Sequence, residues 1–348
     1  MRPSLNLPRV GAPDASFRLQ AEATQEYFGV TLKKTLLDAI KERPLLGDGA
    51  MGTQLMIAGL EQGNSGELWN LTHPERVVAI QRRYVDAGSE CLLTNTFGGS
   101  RIMLNRHSHA DDVAAINAAG VAIAREAFGG RTGYVIGDIG PFGGLMEPYG
   151  EFTEAQVLDA FREQAKALVD GGADAIIIET QTSLEELRLG LMAAREAGAP
   201  CVIGSMAYDV TLDGSTFRTM MGVDPERAAE FMQAHGTDIV ALNCGTGMDM
   251  ERALQAVLRY LQITELPIMA QPNAGQPKLV DMKVVYDETP AQMVTGVVPL
   301  LKAGASIIGG CCGSTPDHIR AFREAMDRFW RDAVGEFEGQ SPSDYKVS

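Results

Sequence analysis

Three cysteines dominate the chemistry this chain could do: Cys244, which ends one apolar run, and the adjacent pair Cys311 and Cys312, which ends another. Thiolates are soft ligands that favour zinc, and three protein ligands with one open tetrahedral position make a reactive metal site rather than a structural one. The competing reading is three inert thiols, because free cysteine is commonly buried and no C-x-x-C spacing is present. Gly309, Gly310 and Gly313 around the pair favour the metal, since a segment poor in side chains bends readily around an ion. A disulfide between Cys311 and Cys312 would be strained. Zinc held by three thiolates is net negative, so it is a poor Lewis acid for hydrolysis and a good holder of a substrate sulfur, which coordination deprotonates. The held thiolate stays nucleophilic, and attack on an electrophilic carbon follows. Asn273, ending the intervening run, is the expected occupant of the open position before substrate arrives.

The remaining candidates are weaker. Cys91 and Cys201 start their runs, on the opposite face, and read as core residues. The five histidines show no H-E-x-x-H spacing, and His107 and His109, two apart, would not share a helix face, so exposure is expected for them. No G-x-S-x-G elbow supports a serine hydrolase. The stretch from Gly47 to Gly52 has glycines in G-x-G-x-x-G spacing but no clear acidic strand end about 20 residues on, so a dinucleotide site is weak. Glycines there would equally let a ligand approach the backbone.

The elements that must position these residues come from eight short apolar runs: Leu45 to Met51, Cys91 to Phe97, Tyr134 to Gly140, Ala175 to Thr180, Cys201 to Ala207, Ile239 to Cys244, Pro267 to Asn273 and Ser306 to Cys312. Between them lie stretches of helical spacing, including Pro74 to Ala87, Thr153 to Asp170, Ser183 to Ala197 and Asp224 to His235, with Thr72, Ser183 and Thr315 as expected caps. The mean repeat of about 37 residues suits one strand, one helix and modest loops. Such alternation implies a parallel sheet. Eight units predict a closed (β/α)8 TIM barrel, with the doubly wound open sheet as runner-up. The barrel is favoured because Asp48, Asn95, Asp138, Glu179, Asn243, Cys244, Asn273, Cys311 and Cys312 all fall at run ends, which a barrel gathers on one catalytic face.

Composition agrees. The chain has 348 residues, 45% hydrophobic and 22% charged, which suits a globular protein and argues against disorder. A net charge of −15 argues against nucleic-acid binding. No apolar run reaches the roughly 18 residues of a membrane span, and the first thirty residues lack a signal-peptide core. Five cysteines with one adjacent pair fit a reducing, cytoplasmic setting better than a disulfide framework. The expected organisation is a single barrel domain over 35–330, preceded by an extension over 1–34 and followed by a flexible tail over 331–348.

The residues resemble the zinc-dependent homocysteine S-methyltransferases through Gly47-Asp48-Gly49-Ala50-Met51-Gly52-Thr53, Thr94-Asn95-Thr96-Phe97-Gly98, Glu179-Thr180, Asn243-Cys244, Pro272-Asn273-Ala274-Gly275 and Gly309-Gly310-Cys311-Cys312-Gly313, spread over 45–329. The resemblance implies the barrel, zinc on Cys244, Cys311 and Cys312, and transfer of a methyl group to homocysteine, giving methionine. It also implies that the substrate ammonium meets Asp48 and Glu179, that amides around Gly49 and Thr96 receive its carboxylate, and that Asn95 and Asn273 belong to the same substrate site. Asp48 and Glu179 as structural salt-bridge partners are the competing reading.

The methyl donor is less determined. Pro272 to Gly275 and Asn70-Leu71-Thr72 are similar to the homocysteine module of cobalamin-dependent methionine synthase, and no D-x-H-x-x-G corrinoid signature surrounds any histidine. A methylated corrinoid would therefore arrive on a partner protein, and this is the leading expectation. The alternative is a small onium donor such as betaine or a thetin, held in an aromatic cage with Trp69 and Tyr149, and Phe142 as an addition. The stretch Glu67 to Asn70 resembles bacterial betaine-using relatives, whereas Gly98 stands where the animal betaine enzymes carry tyrosine. Trp69 as a packing residue is at least as good a reading. Gly140 to Gly150 is expected to form a rim loop over the site, and Thr211 to Val223 a second. Readings of another class are an acceptor-binding module without turnover of its own and a scaffold barrel without metal. A homo-oligomer is compatible with the sequence, which also leaves open whether the acceptor is homocysteine or a related thiol.

Overall fold

The computed structural model describes residues 33–280 and 283–338. The expected extension, apart from Lys33 and Lys34, and residues 339–348 lie outside the described residues; a compact unit starts at Thr35. The apolar runs become eight parallel strands: β1 Leu45–Leu46, β2 Cys91–Leu93, β3 Tyr134–Ile139, β4 Ala175–Gln181, β5 Val202–Met206, β6 Ile239–Asn243, β7 Ile268–Gln271 and β8 Ala305–Ile308. Pairing runs from β1 through β8, β7, β6, β5, β4 and β3 to β2 in one sheet. The seam between β1 and β2 is closed by the Glu90 amide, which donates to the Leu46 carbonyl at 2.7 Å, and by the Leu93 amide, which donates to Asp48 Oδ2 at 2.8 Å. The sheet is a closed (β/α)8 barrel, as the repeat predicted.

The pleat explains what fills it. Successive side chains on a strand point to opposite sides, and the inner cluster contains Tyr134 and Ile136 of β3, Ala175 and Ile177 of β4, Ile203 of β5, and Ile239 and Ala241 of β6. The next inward position on each strand is Asp138, Glu179, Ser205 and Asn243. All four are nearly or fully buried. The apolar ladder of the barrel thus ends in a polar layer at the C-terminal mouth, where barrel enzymes place their chemistry. Cys91 and Cys201 lie at the other end of the ladder, buried among apolar neighbours, as expected.

The helices pack outside, and the expected ones form within a residue or two of their expected ends. Thr153 caps Glu154–Asp170 in a capping box with Gln156, Ser183 accepts from the Glu186 amide ahead of Leu184–Glu196, and Asp224 does the same for Pro225–Ala234. Thr72 does not cap Pro74–Asp86: the N-cap is His73, and the Thr72 hydroxyl donates to the Leu68 carbonyl one turn back. His107 and His109 are half-buried rather than exposed, the latter held to Asp112. The last helix, Pro316–Glu338, continues through the first residues of the expected flexible tail. The rim segment 211–223 takes part in a small antiparallel hairpin of Asp209–Val210 and Phe217–Arg218, and a second hairpin, Pro277–Val280 with Lys283–Tyr286, follows β7.

Candidate metal centre

Cys244, Cys311 and Cys312 meet at the mouth, as the barrel required. Their sulfurs all lie within 4.8 Å of one another, and Cys244 Sγ is 3.9 Å from Cys312 Sγ. Four sulfurs at about 2.3 Å from a tetrahedral zinc would be about 3.8 Å apart, so the spacing already suits the ion. The backbone is shaped for this cluster. Cys244 itself has φ of +56°, an uncommon conformation for a residue with a side chain, and its amide donates to the Gln271 carbonyl at 3.3 Å. Gly245 follows at φ +88°, and a Cβ there would lie 1.8 Å from the Tyr208 carbonyl oxygen. Gly313 has φ of +78° and lies under the Tyr286 ring, 2.1 Å from where its Cβ would be.

Neighbouring polar groups hold the thiols. Asn243 Nδ2 points to Cys311 Sγ at 3.7 Å and donates to Thr180 Oγ1, while its Oδ1 accepts from Ser205 Oγ and the Thr180 amide. The Ser314 hydroxyl donates to the Cys311 carbonyl at 2.7 Å and accepts from the Ala50 amide at 3.1 Å. Tyr84 donates to the Ala50 carbonyl and reaches the Ser314 carbonyl, tying the turn after β1 to the turn after β8. Sequence reading did not single out Tyr84, Ser205 or Ser314 as site residues. Ser314 beside Cys311-Cys312 carried the only local signal. Hydrogen bonds from the Cys244 and Cys311 thiols pull Cys312 down to about 3, so one thiolate exists before any ion binds.

Beside the thiols sits a buried acidic group. Burial pushes Asp48 up to about 8, against the opposing pull of the Leu93 amide. Burial, then the negative charges of Cys244 and Asp48, push Glu179 up to about 8. Asp138 is raised well above the usual carboxylate range, by burial first and then by Glu179, Asp48 and Glu67. Asn273 Oδ1 and Gln271 Oε1 are buried acceptors without a donor among the described residues, and Asn273 Nδ2 is fixed to the Gly245 carbonyl at 3.0 Å.

Other expected substrate contacts are already committed. The Asn95 amide group donates to the Gly66 carbonyl and Asn70 Oδ1, and the Thr96 amide donates to the Thr94 carbonyl. Thr96 is fully buried, so it braces the loop and does not offer its amide to a carboxylate. Gly49 stays at the mouth, its α-carbon tight against Ser314 and Tyr84. The aromatic candidates do not assemble a cage. Trp69 is buried, with His73 at 5.1 Å and the Arg76 guanidinium at 5.2 Å from its ring; Phe142 is buried against Phe152; Tyr149 is 85% exposed.

Fold and thiol cluster together describe a barrel transferase built around a soft-metal site. The chain belongs to the homocysteine S-methyltransferase family, whose profile matches residues 45–326. It is 35% identical over 308 residues to methionine synthase of Mycobacterium tuberculosis, and 33% identical over 309 residues to that of Mycobacterium leprae. Each alignment covers 84% of this chain and 25% of the relative, so the chain spans about a quarter of the length of these proteins. The metallated crystal structure of the homocysteine methyltransferase MmuM from Escherichia coli shares the fold, with a TM-score of 0.67 and 22% identity, over 83% of this chain and 99% of that one.

Proposed function

We propose that this chain binds zinc through Cys244, Cys311 and Cys312 and transfers a methyl group to the thiol of homocysteine, forming methionine. The observation that carries the reading is the thiol trio at the mouth, spaced for a tetrahedral ion and flanked by buried acids. Zinc bound there would take up a thiol as thiolate and keep it nucleophilic. The chain's own residues do the rest. Asn243 and Ser314 fix the Cys311 side chain and carbonyl, which pre-organises the donor set. Asn273 Oδ1, a buried acceptor without a donor, is the candidate for the fourth position before substrate binds. Asp48 and Glu179 hold the substrate ammonium and thereby aim the sulfur at the thiol trio, while the Gly49 segment faces the substrate carboxylate. The proton leaving the thiol has buried carboxylates at hand, since Glu179 stays protonated up to about pH 8 in the empty site.

For the donor, the geometry supports a methylated corrinoid on a partner protein over a free onium compound. Trp69 and Phe142 present no open face, and the catalytic rim carries exposed apolar side chains at Ile57, Leu145, Leu212, Met220 and Met221. Apolar side chains grouped on one face suit a protein partner. No described helix is long and apolar enough to cross a membrane. The test is methionine formation by the zinc-loaded protein with methylcobalamin, betaine, dimethylsulfoniopropionate and S-methylmethionine in parallel. Turnover with methylcobalamin alone is expected; turnover with an onium compound would replace the corrinoid reading, and no methionine with any donor would overturn homocysteine as acceptor.

A further inference from the structure

Asp138 occupies a position that neither packing nor the thiol site explains. It stands at the inward, C-terminal end of the β3 ladder above Tyr134 and Ile136, and it is 5% exposed. Its backbone is fully used: the amide donates to Thr94 Oγ1 at 2.9 Å, and the carbonyl accepts from Thr96 Oγ1 at 2.7 Å. Its side-chain Oδ1 is buried and accepts nothing among the described residues. The charges that act on it are Glu179, Asp48 and Glu67, all acidic. Glu67 is itself committed, accepting from the Gly98 amide and the Ser65 hydroxyl. A buried carboxylate with an unsatisfied oxygen and only like charges around it costs stability unless a ligand answers it. The ligand must therefore bring positive charge and N–H donors.

An ammonium has three N–H bonds, and the two acids assigned to it so far do not provide for all three comfortably. Asp48 already spends Oδ2 on the Leu93 amide that closes the barrel seam. We propose that Asp138 is the third acceptor of the substrate ammonium and sets the preference for thiols that carry an α-amino group over thiols that lack one. This rests on the proposed acceptor, homocysteine, and adds a residue of the β3 end to its binding site. With carboxylates from three parts of the mouth converging on one nitrogen, an amine that is acylated or missing leaves Asp138 unanswered. The penalty falls on the wrong substrate as well as the reward on the right one.

Isothermal titration of the zinc-loaded protein with L-homocysteine and with 4-mercaptobutanoate, which keeps thiol and carboxylate without the amine, tests this. The protein is expected to prefer homocysteine. Asp138→Ala is expected to lower that preference on the order of 10-fold or more, through weaker homocysteine binding, with 4-mercaptobutanoate unchanged or tighter. Asp138→Asn, which preserves shape, is expected to fall between, and it decides the matter if the alanine variant does not fold. An unchanged preference in a variant that still binds zinc, or an equal loss for both thiols, would overturn the role of Asp138. If the unaltered protein itself shows no preference for homocysteine, the acceptor reading fails first and this inference with it.

Discussion

At Cys244 the chain accepts a φ of +56° so that its thiol faces Cys311 and Cys312, and Thr180, next to Glu179, does the same at +57°. Two such residues at adjacent strand ends mark a place where function sets the backbone, because each conformation costs of order 1 kcal/mol or more. Cys244→Ala should weaken zinc binding by more than ~100-fold in chelator competition while the circular dichroism spectrum is kept. Retained tight stoichiometric zinc would remove Cys244 from the site. Asp48 yields a pH prediction. Its folded-state pKa of about 8 lies above the unfolded value, so the native protein holds a proton that the unfolded chain has lost between roughly pH 4 and pH 8. Its contribution to stability is full below the unfolded pKa and is lost as pH rises through that window. In metal-free protein, Asp48→Asn should therefore flatten the fall in denaturant midpoint from pH 5 to pH 8, and an unchanged slope would mean that Asp48 is not protonated there. The residue types of the site were legible from the sequence: three cysteines and two acids at run ends. What Asn95 and Thr96 do was not, because whether an amide is free or taken depends on loop geometry. The second role of Asp48 in the barrel seam was hidden for the same reason.

Among the elements, the eight strands were legible because parallel strands buried on both sides read as short continuous apolar runs. The regular strands end before the runs do, since the last residues of each run turn into the mouth: Leu45 to Met51 contains a strand of only Leu45–Leu46. The hairpin after β7 was not legible. Its turn, between Val280 and Lys283, has no Asn-Gly or Asp-Gly pair, so the sequence carried no hairpin signal. Yet that hairpin brings Tyr286 over Gly313, beside two metal-ligand candidates. Of the caps, Ser183 was legible, whereas Thr72 was misassigned because Pro at the first helical position moved the cap to His73. The turn after β6 gives the prediction at this scale. Gly245→Ala would place a methyl 1.8 Å from a backbone carbonyl, where no side chain can move aside, at φ +88°. A loss of about 2 kcal/mol or more in chemical denaturation is expected, together with weaker zinc binding. A neutral outcome would mean that the turn is freer than its geometry shows.

For the whole molecule, the barrel is closed by strand ladders and apolar packing, and the thiols sit on its finished rim. This differs from small domains that fold around their metal. Chelation should leave the far-ultraviolet circular dichroism unchanged and lower Tm by a few degrees, as expected when a ligand that binds only the native state is removed. Unfolding on chelation would contradict a preformed site. The last helix reaches Glu338 although its final turns fall among the Gly, Ser and acidic residues that predicted a flexible tail; composition alone did not locate its end. The catalytic face combines a buried acidic pocket with an apolar rim, and that pairing is why a small cationic thiol and a protein-borne donor suit the two. The most direct test of this account is X-ray absorption at the zinc edge, before and after adding L-homocysteine. Three sulfur neighbours rising to four is the predicted result; an unchanged sulfur count, or an ion not held by sulfur at all, would contradict it.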